Sequence, residues 1–278
     1  MSATTIEHHG PATGSILREA VILTGRAMRH WRARPVTFSI QLLFPVLVML
    51  LMGGLLGGAI AGTTGDYIVF VVPGILAFTV LSGIETTITA VTGDAAKTVT
   101  DRFRTLPISR GSVLLGRVFA DMLTAAVELA VVTAAGLLLG WRPEGGVADV
   151  VLAYVLLLWL RFGLLLWLRF GLLWVGVWIG LKAGTPEAAT TAQLAIWPVA
   201  FLSTVFVDPR TMPAWLGVVA EWNPLSATAS AARELFSGTD LTGVTFVADH
   251  SVLFAIGWPL ALTAAFIPLA IRAYRRLS

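Results

Sequence analysis

Residues 93–117 read G-D-A-A-K-T-V-T-D-R-F-R-T-L-P-I-S-R-G-S-V-L-L-G-R, from Gly93 to Arg117, the longest strongly charged segment between two long apolar ones. Lys97, Arg102, Arg104, Arg110 and Arg117 share it with Asp94 and Asp101, and Phe103, Leu106 and Ile108 stand among those charges. An apolar run over about 67–92 precedes it and another over about 112–140 follows. Each exceeds the ~20 residues a helix needs to cross ~30 Å of hydrocarbon. The segment is therefore a basic loop joining two membrane spans, and the side on which it lies orients the chain.

Composition places the whole protein in the same class. Of 278 residues, 56% are hydrophobic and 13% charged, and the mean hydropathy is +0.83. These values belong to a polytopic membrane protein rather than to one or two soluble domains. The pI near 9.8 does not signal nucleic acid. Fourteen of the 19 Lys and Arg fall in four short segments beside apolar spans, the pattern of cytoplasmic loops facing anionic lipid. Nucleic-acid binding is rejected. With no cysteine, disulfides, Cys-ligated zinc, Fe–S clusters and thiol catalysis are excluded.

Six spans are expected, over about 36–60, 67–92, 112–140, 149–181, 187–207 and 250–272. An even count puts both termini on one side. Arg18, Arg26, Arg29, Arg32 and Arg34 precede the first span, the loop quoted above carries five more, Lys182 follows the fourth, and Arg272, Arg275 and Arg276 close the chain. The opposite side holds Arg142, Arg210 and Arg233. The termini and the 93–117 loop are thus read as cytoplasmic. Residues 1–14 are polar, lack the apolar core of a signal peptide, and read as a disordered cytoplasmic tail. Over 15–34 the pattern is an amphipathic interfacial helix: Arg18, Glu19, Arg26 and Arg29 lie on one arc, and Leu17, Val21, Met28 and Trp31 on the other. A plain basic flank is the alternative. The remainder, 35–278, is the six-span body.

On the outer side the links at Gly62–Asp66 and Arg142–Gly146 are short, and one long excursion runs over 208–249. Within it, Met212–Trp222 and Leu225–Phe236 read as two short helices broken at Asn223-Pro224, dipping partly into the outer leaflet. The fourth span contains L-L-L-W-L-R-F-G twice in succession, Leu156–Gly163 and Leu164–Gly171. A helix over 149–181 would be ~48 Å long, more than the bilayer requires. Eight residues turn a helix by ~80°, so the copies cannot present one face, and Arg161 falls near mid-membrane. The duplication reads as tolerated by tilt, kinking or extension rather than as a functional repeat.

Motifs for catalysis are absent. There is no G-x-x-x-x-G-K-[ST] phosphate loop, no G-x-G-x-x-G opening a helix, and no H-E-x-x-H. His8, His9, His30 and His250 all lie outside the apolar cores. The charges inside spans are the remaining candidates: Glu85, Asp121, Glu128, Arg161 and Arg169. Each is costly in hydrocarbon and so faces protein or water. Carboxylates of this kind serve as ion sites in a secondary transporter. Alternatively they form ion pairs with Arg161 and Arg169 that fix helix packing. The second reading is preferred, because the acids sit near arginines and away from any helix break. Gly53, Gly54, Gly57 and Gly58 in the first span form a small-residue ladder for packing between spans or between subunits. In the loop, Phe103, Leu106 and Ile108 among charges suit docking into a groove on a soluble partner, or burial among anionic headgroups.

Several motifs resemble those of the membrane subunits of type 2 ATP-binding-cassette exporters, the daunorubicin-resistance-type drug exporter permeases in particular. They are F-P-V-L (Phe44–Leu47), G-G-A-I-A-G (Gly57–Gly62), V-P-G-I-L (Val72–Leu76) and D-R-F-R-T-L-P-I-S-R (Asp101–Arg110). R-P-E-G-G, F-V-D-P-R-T-M-P-A-W-L (Phe206–Leu216) and N-P-L-S (Asn223–Ser226) follow, in family order and over nearly the whole chain. The resemblance implies an all-α polytopic fold with six transmembrane helices, cytoplasmic termini, an N-terminal interfacial helix and short outer helices. It also implies a coupling contact made by Asp94, Lys97, Asp101, Arg102, Phe103, Arg104, Leu106 and Pro107 with a separate ATPase. ATP and Mg would be bound on that partner and no cofactor on this chain. The working unit would pair two permeases, as a homodimer or with a related permease, in the bacterial plasma membrane, in contact with membrane lipid and with an amphipathic small-molecule substrate. The eight-residue duplication is the departure from the pattern. Two rival readings remain: an ion-coupled secondary transporter built on Glu85, Asp121 and Glu128, and an anchoring protein that transports nothing.

Overall fold

In a computed structural model of the chain, the described residues are 25, 35–96, 110–142, 150–237 and 245–276. Among them every regular element is helical, and five helices are long and apolar enough to cross a membrane. The protein is an all-helical polytopic membrane protein. Apart from Gly25, the expected interfacial helix over 15–34 lies outside the described residues, as do residues 97–109 of the cytoplasmic loop.

The first span consists of α1 (Pro35–Met49), a π-helical stretch (Leu50–Leu56) and α2 (Gly57–Ala61). The widened turns coincide with Gly53-Gly54, where missing side chains remove the steric resistance to a wider turn. The glycine ladder is used partly within the chain. A Cβ at Gly53 would stand 3.5 Å from both Ile68 and Val71, and one at Gly57 3.2 Å from Tyr67. At Gly54 it would meet nothing within 4 Å. Gly53 and Gly57 thus seat the first span on the second, leaving Gly54 on an open face, while Gly58 faces Thr64 at 3.7 Å.

A tight turn at Gly62 (φ +78°) leads into α3 (Thr64–Ala96), whose start is fixed by reciprocal bonds between Thr63 and Asp66. α3 is buried along almost its whole length and forms the centre of the body. The helix α4 (Arg110–Leu138) ends in a Schellman turn: Gly140, at φ +95°, allows Trp141 N to reach Gly136 O at 3.0 Å. Next comes α5 (Val150–Ala183), parallel to α3 and packed along it.

The segment read as a fifth span, 187–207, is not one helix. It forms α6 (Pro186–Leu194) and α7 (Ile196–Phe201), nine and six residues long. Together they rise only ~22 Å. Thr185 caps α6 with Pro186 at its first position. Pro198 then lacks the N–H that would bond Leu194 and carry the helix through. Beyond Phe201 the chain unwinds, and its backbone is taken up by side chains. Asn223 Nδ2 donates to Val199 O and Leu202 O, and Ser226 Oγ accepts from Thr204 N at 2.9 Å.

After a single 3-10 turn (Pro209–Thr211), α8 (Ala214–Glu221) and α9 (Pro224–Ser237) are the two short helices expected from the sequence, broken at Asn223-Pro224. They are not a surface loop, because α9 packs on α3 and α5. The short α10 (Phe246–Asp249) precedes α11 (Ser251–Arg276), which lies against α5 and α9 with most of its surface exposed.

The tandem repeat is resolved by register. Gly171, in the second copy, faces Pro259 so closely that a Cβ would stand 2.9 Å from its Cα, whereas Gly163 has open space. Trp167 Nε1 donates to Ile256 O. Counted along α5 from Lys182, Arg169 is ~20 Å away and Arg161 ~32 Å. Arg169 therefore lies within the hydrocarbon thickness. Arg161 lies eight residues earlier in α5, with its side chain outside the described residues.

Candidate functional site

Arg169 is fully buried. Its Nε donates to Asp121 Oδ2 at 2.7 Å, Nη2 to Asp121 Oδ1 at 3.0 Å, and Nη1 to Glu128 Oε2 at 3.1 Å. Nη1 also reaches Thr79 O at 3.1 Å. Asp121 and Glu128, seven apart, share a face of α4, as their spacing predicts. Gln41 Nε2, from α1, donates to Glu128 Oε1 at 2.7 Å. Four helices thus meet at one charged node. The bidentate geometry and the carbonyl contacts satisfy groups that could not otherwise be buried. Gly83 makes room for it, since a Cβ there would run into the guanidinium.

Glu85 is not part of the node. Its side chain lines a cavity of about 360 Å³ bounded by α1, α3 and α7. The walls are Phe44, Phe78, Ile196 and Trp197, and Gln41 stands between this cavity and Glu128. Phe44 and Trp197 meet edge to face at 5.8 Å, and Phe78 lies 6.1 Å from Trp197. The intramembrane charges of the sequence thus separate into two sets: Asp121, Glu128 and Arg169 are brought together, while Glu85 faces open space.

A second buried guanidinium lies where α9 packs on α3. Arg233, counted in the sequence as an outer-side charge, is only 1% exposed. It donates to Phe70 O at 2.9 Å, Thr204 O at 2.8 Å and Val205 O at 2.9 Å, with the Phe70 ring 3.8 Å away. Phe70 lies three residues before Pro73, which has no N–H to give to the Val69 carbonyl next to it. Gly74 is required beside it: a Cβ would collide with Val205 O and stand 2.9 Å from Arg233 Nη2. Three motifs of the sequence, V-P-G, F-V-D-P and N-P-L-S, therefore converge on one joint where the unwound end of α7 is repaired. Nearby, Asp208 accepts from Arg210 N and Nε at 2.9 and 3.0 Å. The Arg210 side-chain hydrogen bond holds the Asp208 carboxyl below the usual carboxylate range.

Sequence reasoning found Asp121, Glu128 and Arg169 but missed Gln41, Gly74, Gly83 and Arg233. A glutamine inside an apolar span was a usable signal, because an amide there needs a partner. Of the loop residues, Asp94 lies at the C-terminal end of α3 with its side chain outside the described residues. Lys97, Asp101, Arg102, Phe103, Arg104, Leu106 and Pro107 lie outside them altogether.

Fold and site together define a membrane permease body: spanning helices locked at a buried ion-pair node, with an apolar cavity beside it. The profile of the ABC-2 type transporter family matches residues 18–237. The daunorubicin resistance ABC transporter permease protein DrrB1 of Streptomyces coeruleorubidus is 34% identical over 266 residues, 95% of this chain and 89% of its own. Putative transport permeases ycf38 of Cyanophora paradoxa and Porphyra purpurea are each 26% identical, over 80% and 81% of this chain and 75% and 76% of theirs. The chain belongs to the ABC-2 type transporter family. It is a multi-pass membrane permease subunit.

Proposed function

We propose that this protein is the membrane half of an exporter that moves amphipathic drugs, lipids or similar small molecules outward across the bacterial plasma membrane. A separate ATPase subunit, carrying ATP and Mg, supplies the work. It couples through Asp94, Lys97, Asp101, Arg102, Phe103, Arg104, Leu106 and Pro107. A second permease, identical or related, completes the unit against lipid-facing helices such as α1 and α11.

The observation that carries this reading is the apolar cavity bounded by the first span, α3 and α7. Its walls come from different helices, so a shift of one against another changes its shape, and differential contacts with an ATP-bound partner can bias that shift. The rival ion-coupled reading used Glu85, Asp121 and Glu128, and two of these are held by Arg169. Replacing Arg104→Glu together with Leu106→Asp is expected to abolish co-purification with the ATPase and ATP-driven export. Unchanged association and export in that variant would overturn the proposal.

A further inference from the structure

Glu85 is the carboxylate that the packing leaves over. Among the described residues its side chain makes no ion pair or hydrogen bond. Its backbone carbonyl, by contrast, accepts from Thr89 Oγ1 and from Gln193 Nε2 at 2.8 Å. A carboxylate at this depth is costly unless it meets water, a cation or a proton donor, and the space it faces is the cavity.

The surroundings of that space favour positive charge. Phe44, Phe78 and Trp197 supply aromatic surface, whose electron-rich faces attract cations, most strongly at Trp. Gln41 gives one amide N–H to Glu128 and keeps its other N–H and its carbonyl oxygen, so it brings no charge of its own to the cavity. Behind Gln41, the node sets two carboxylates against one guanidinium. The local field is therefore negative on two sides, and among the described residues no cationic side chain lines the cavity. An anionic headgroup would meet repulsion there. A neutral lipid would leave Glu85 without a partner.

We propose that this cavity is a binding site for a cation with an apolar body, and that Glu85 is its counter-ion and the residue that selects for positive charge. The inference rests on the export reading and narrows it to a class of substrate.

Tetraphenylphosphonium and tetraphenylborate, of nearly equal size and opposite charge, separate charge from greasiness. The test measures saturable binding of each, above that of empty nanodiscs, to the permease reconstituted in nanodiscs with its ATPase. The intact complex is expected to prefer the phosphonium. Glu85→Gln is expected to weaken phosphonium binding by about tenfold or more while leaving borate binding unchanged or stronger. Glu85→Asp, which keeps the charge, should retain the preference and guards against a mere folding effect. Equal phosphonium affinity in Glu85→Gln and the intact complex, or no preference between the ions in the latter, overturns the inference. ATP-driven export of a neutral amphiphile alongside either result leaves the export reading standing, whereas absence of any ATP-driven export removes both.

Discussion

Arg169 and Arg233 are both buried arginines, yet the protein uses them oppositely. Arg169 is held by two carboxyl groups and joins separate helices to one another. Arg233 donates to three backbone carbonyls and ties the unwound chain after Phe201 to α3 at Phe70. A guanidinium with five donors in a planar fork suits both tasks. The difference is what remains when it is removed. At the node two carboxylates would be stranded in hydrocarbon, whereas at the Arg233 joint only neutral carbonyls would lose a donor.

The largest effect is therefore expected at the node. Arg169→Met should destabilise the protein by about 3–5 kcal/mol, the range for breaking a buried pair from one side. Adding Asp121→Asn and Glu128→Gln should recover most of that loss, because the neutral set needs no counter-charge. Thermal unfolding of the purified protein, compared across the single and triple variants, reads both values. A single variant as stable as the parent would mean the node is solvated in the membrane.

Arg233→Met should cost about 2–3 kcal/mol, since the carbonyls it strands are uncharged and one lost partner costs ~1–3 kcal/mol. No neutralisation of a carboxylate should rescue it, and the same unfolding assay distinguishes the two arginines by this failure. Rescue by Asp208→Asn would show that an ionic partner, rather than the carbonyls, dominates at Arg233.

The smallest effect belongs to the exposed pair beside that joint. The folded Asp208 pKa is lowered by Arg210, so its contribution is complete above the unfolded value of ~4. It is lost as pH falls through the lower folded value. With Arg210 half exposed, the gain is worth less than about 1 kcal/mol. The melting-temperature difference between the parent and Asp208→Asn should accordingly be small at pH 7 and shrink further as pH falls below ~4. A difference that grew on acidification would reverse the sign argued here.

The sequence made the node legible because a seven-residue spacing on one helix can be counted, and because acids and arginines in apolar runs are few. Long spans were equally plain, since twenty apolar residues leave little choice. The break in the fifth apolar stretch was not legible because hydropathy measures how greasy a stretch is and not whether its backbone can stay helical past Pro198. Arg233 was hidden for a related reason. Its segment is only moderately apolar, and its burial depends on α9 folding back onto α3, a contact between residues more than 160 positions apart. Gly74 and Gly83 look like ordinary membrane glycines until the atoms opposite them are known.

The doubled octapeptide raises a problem of degeneracy, since a helix carrying two identical lines of text could slide by eight residues and offer Arg161 to the carboxylates in place of Arg169. Gly163 would even replace Gly171 against Pro259. What forbids the slip lies downstream of the repeat: Gly176 and Gly180 press on α3 so closely that a Cβ at Gly180 would stand 2.8 Å from Val91. Sliding would bring Leu168 and Leu172 to those positions. Two missing methyl groups thus act as the index marks that tell one copy from the other.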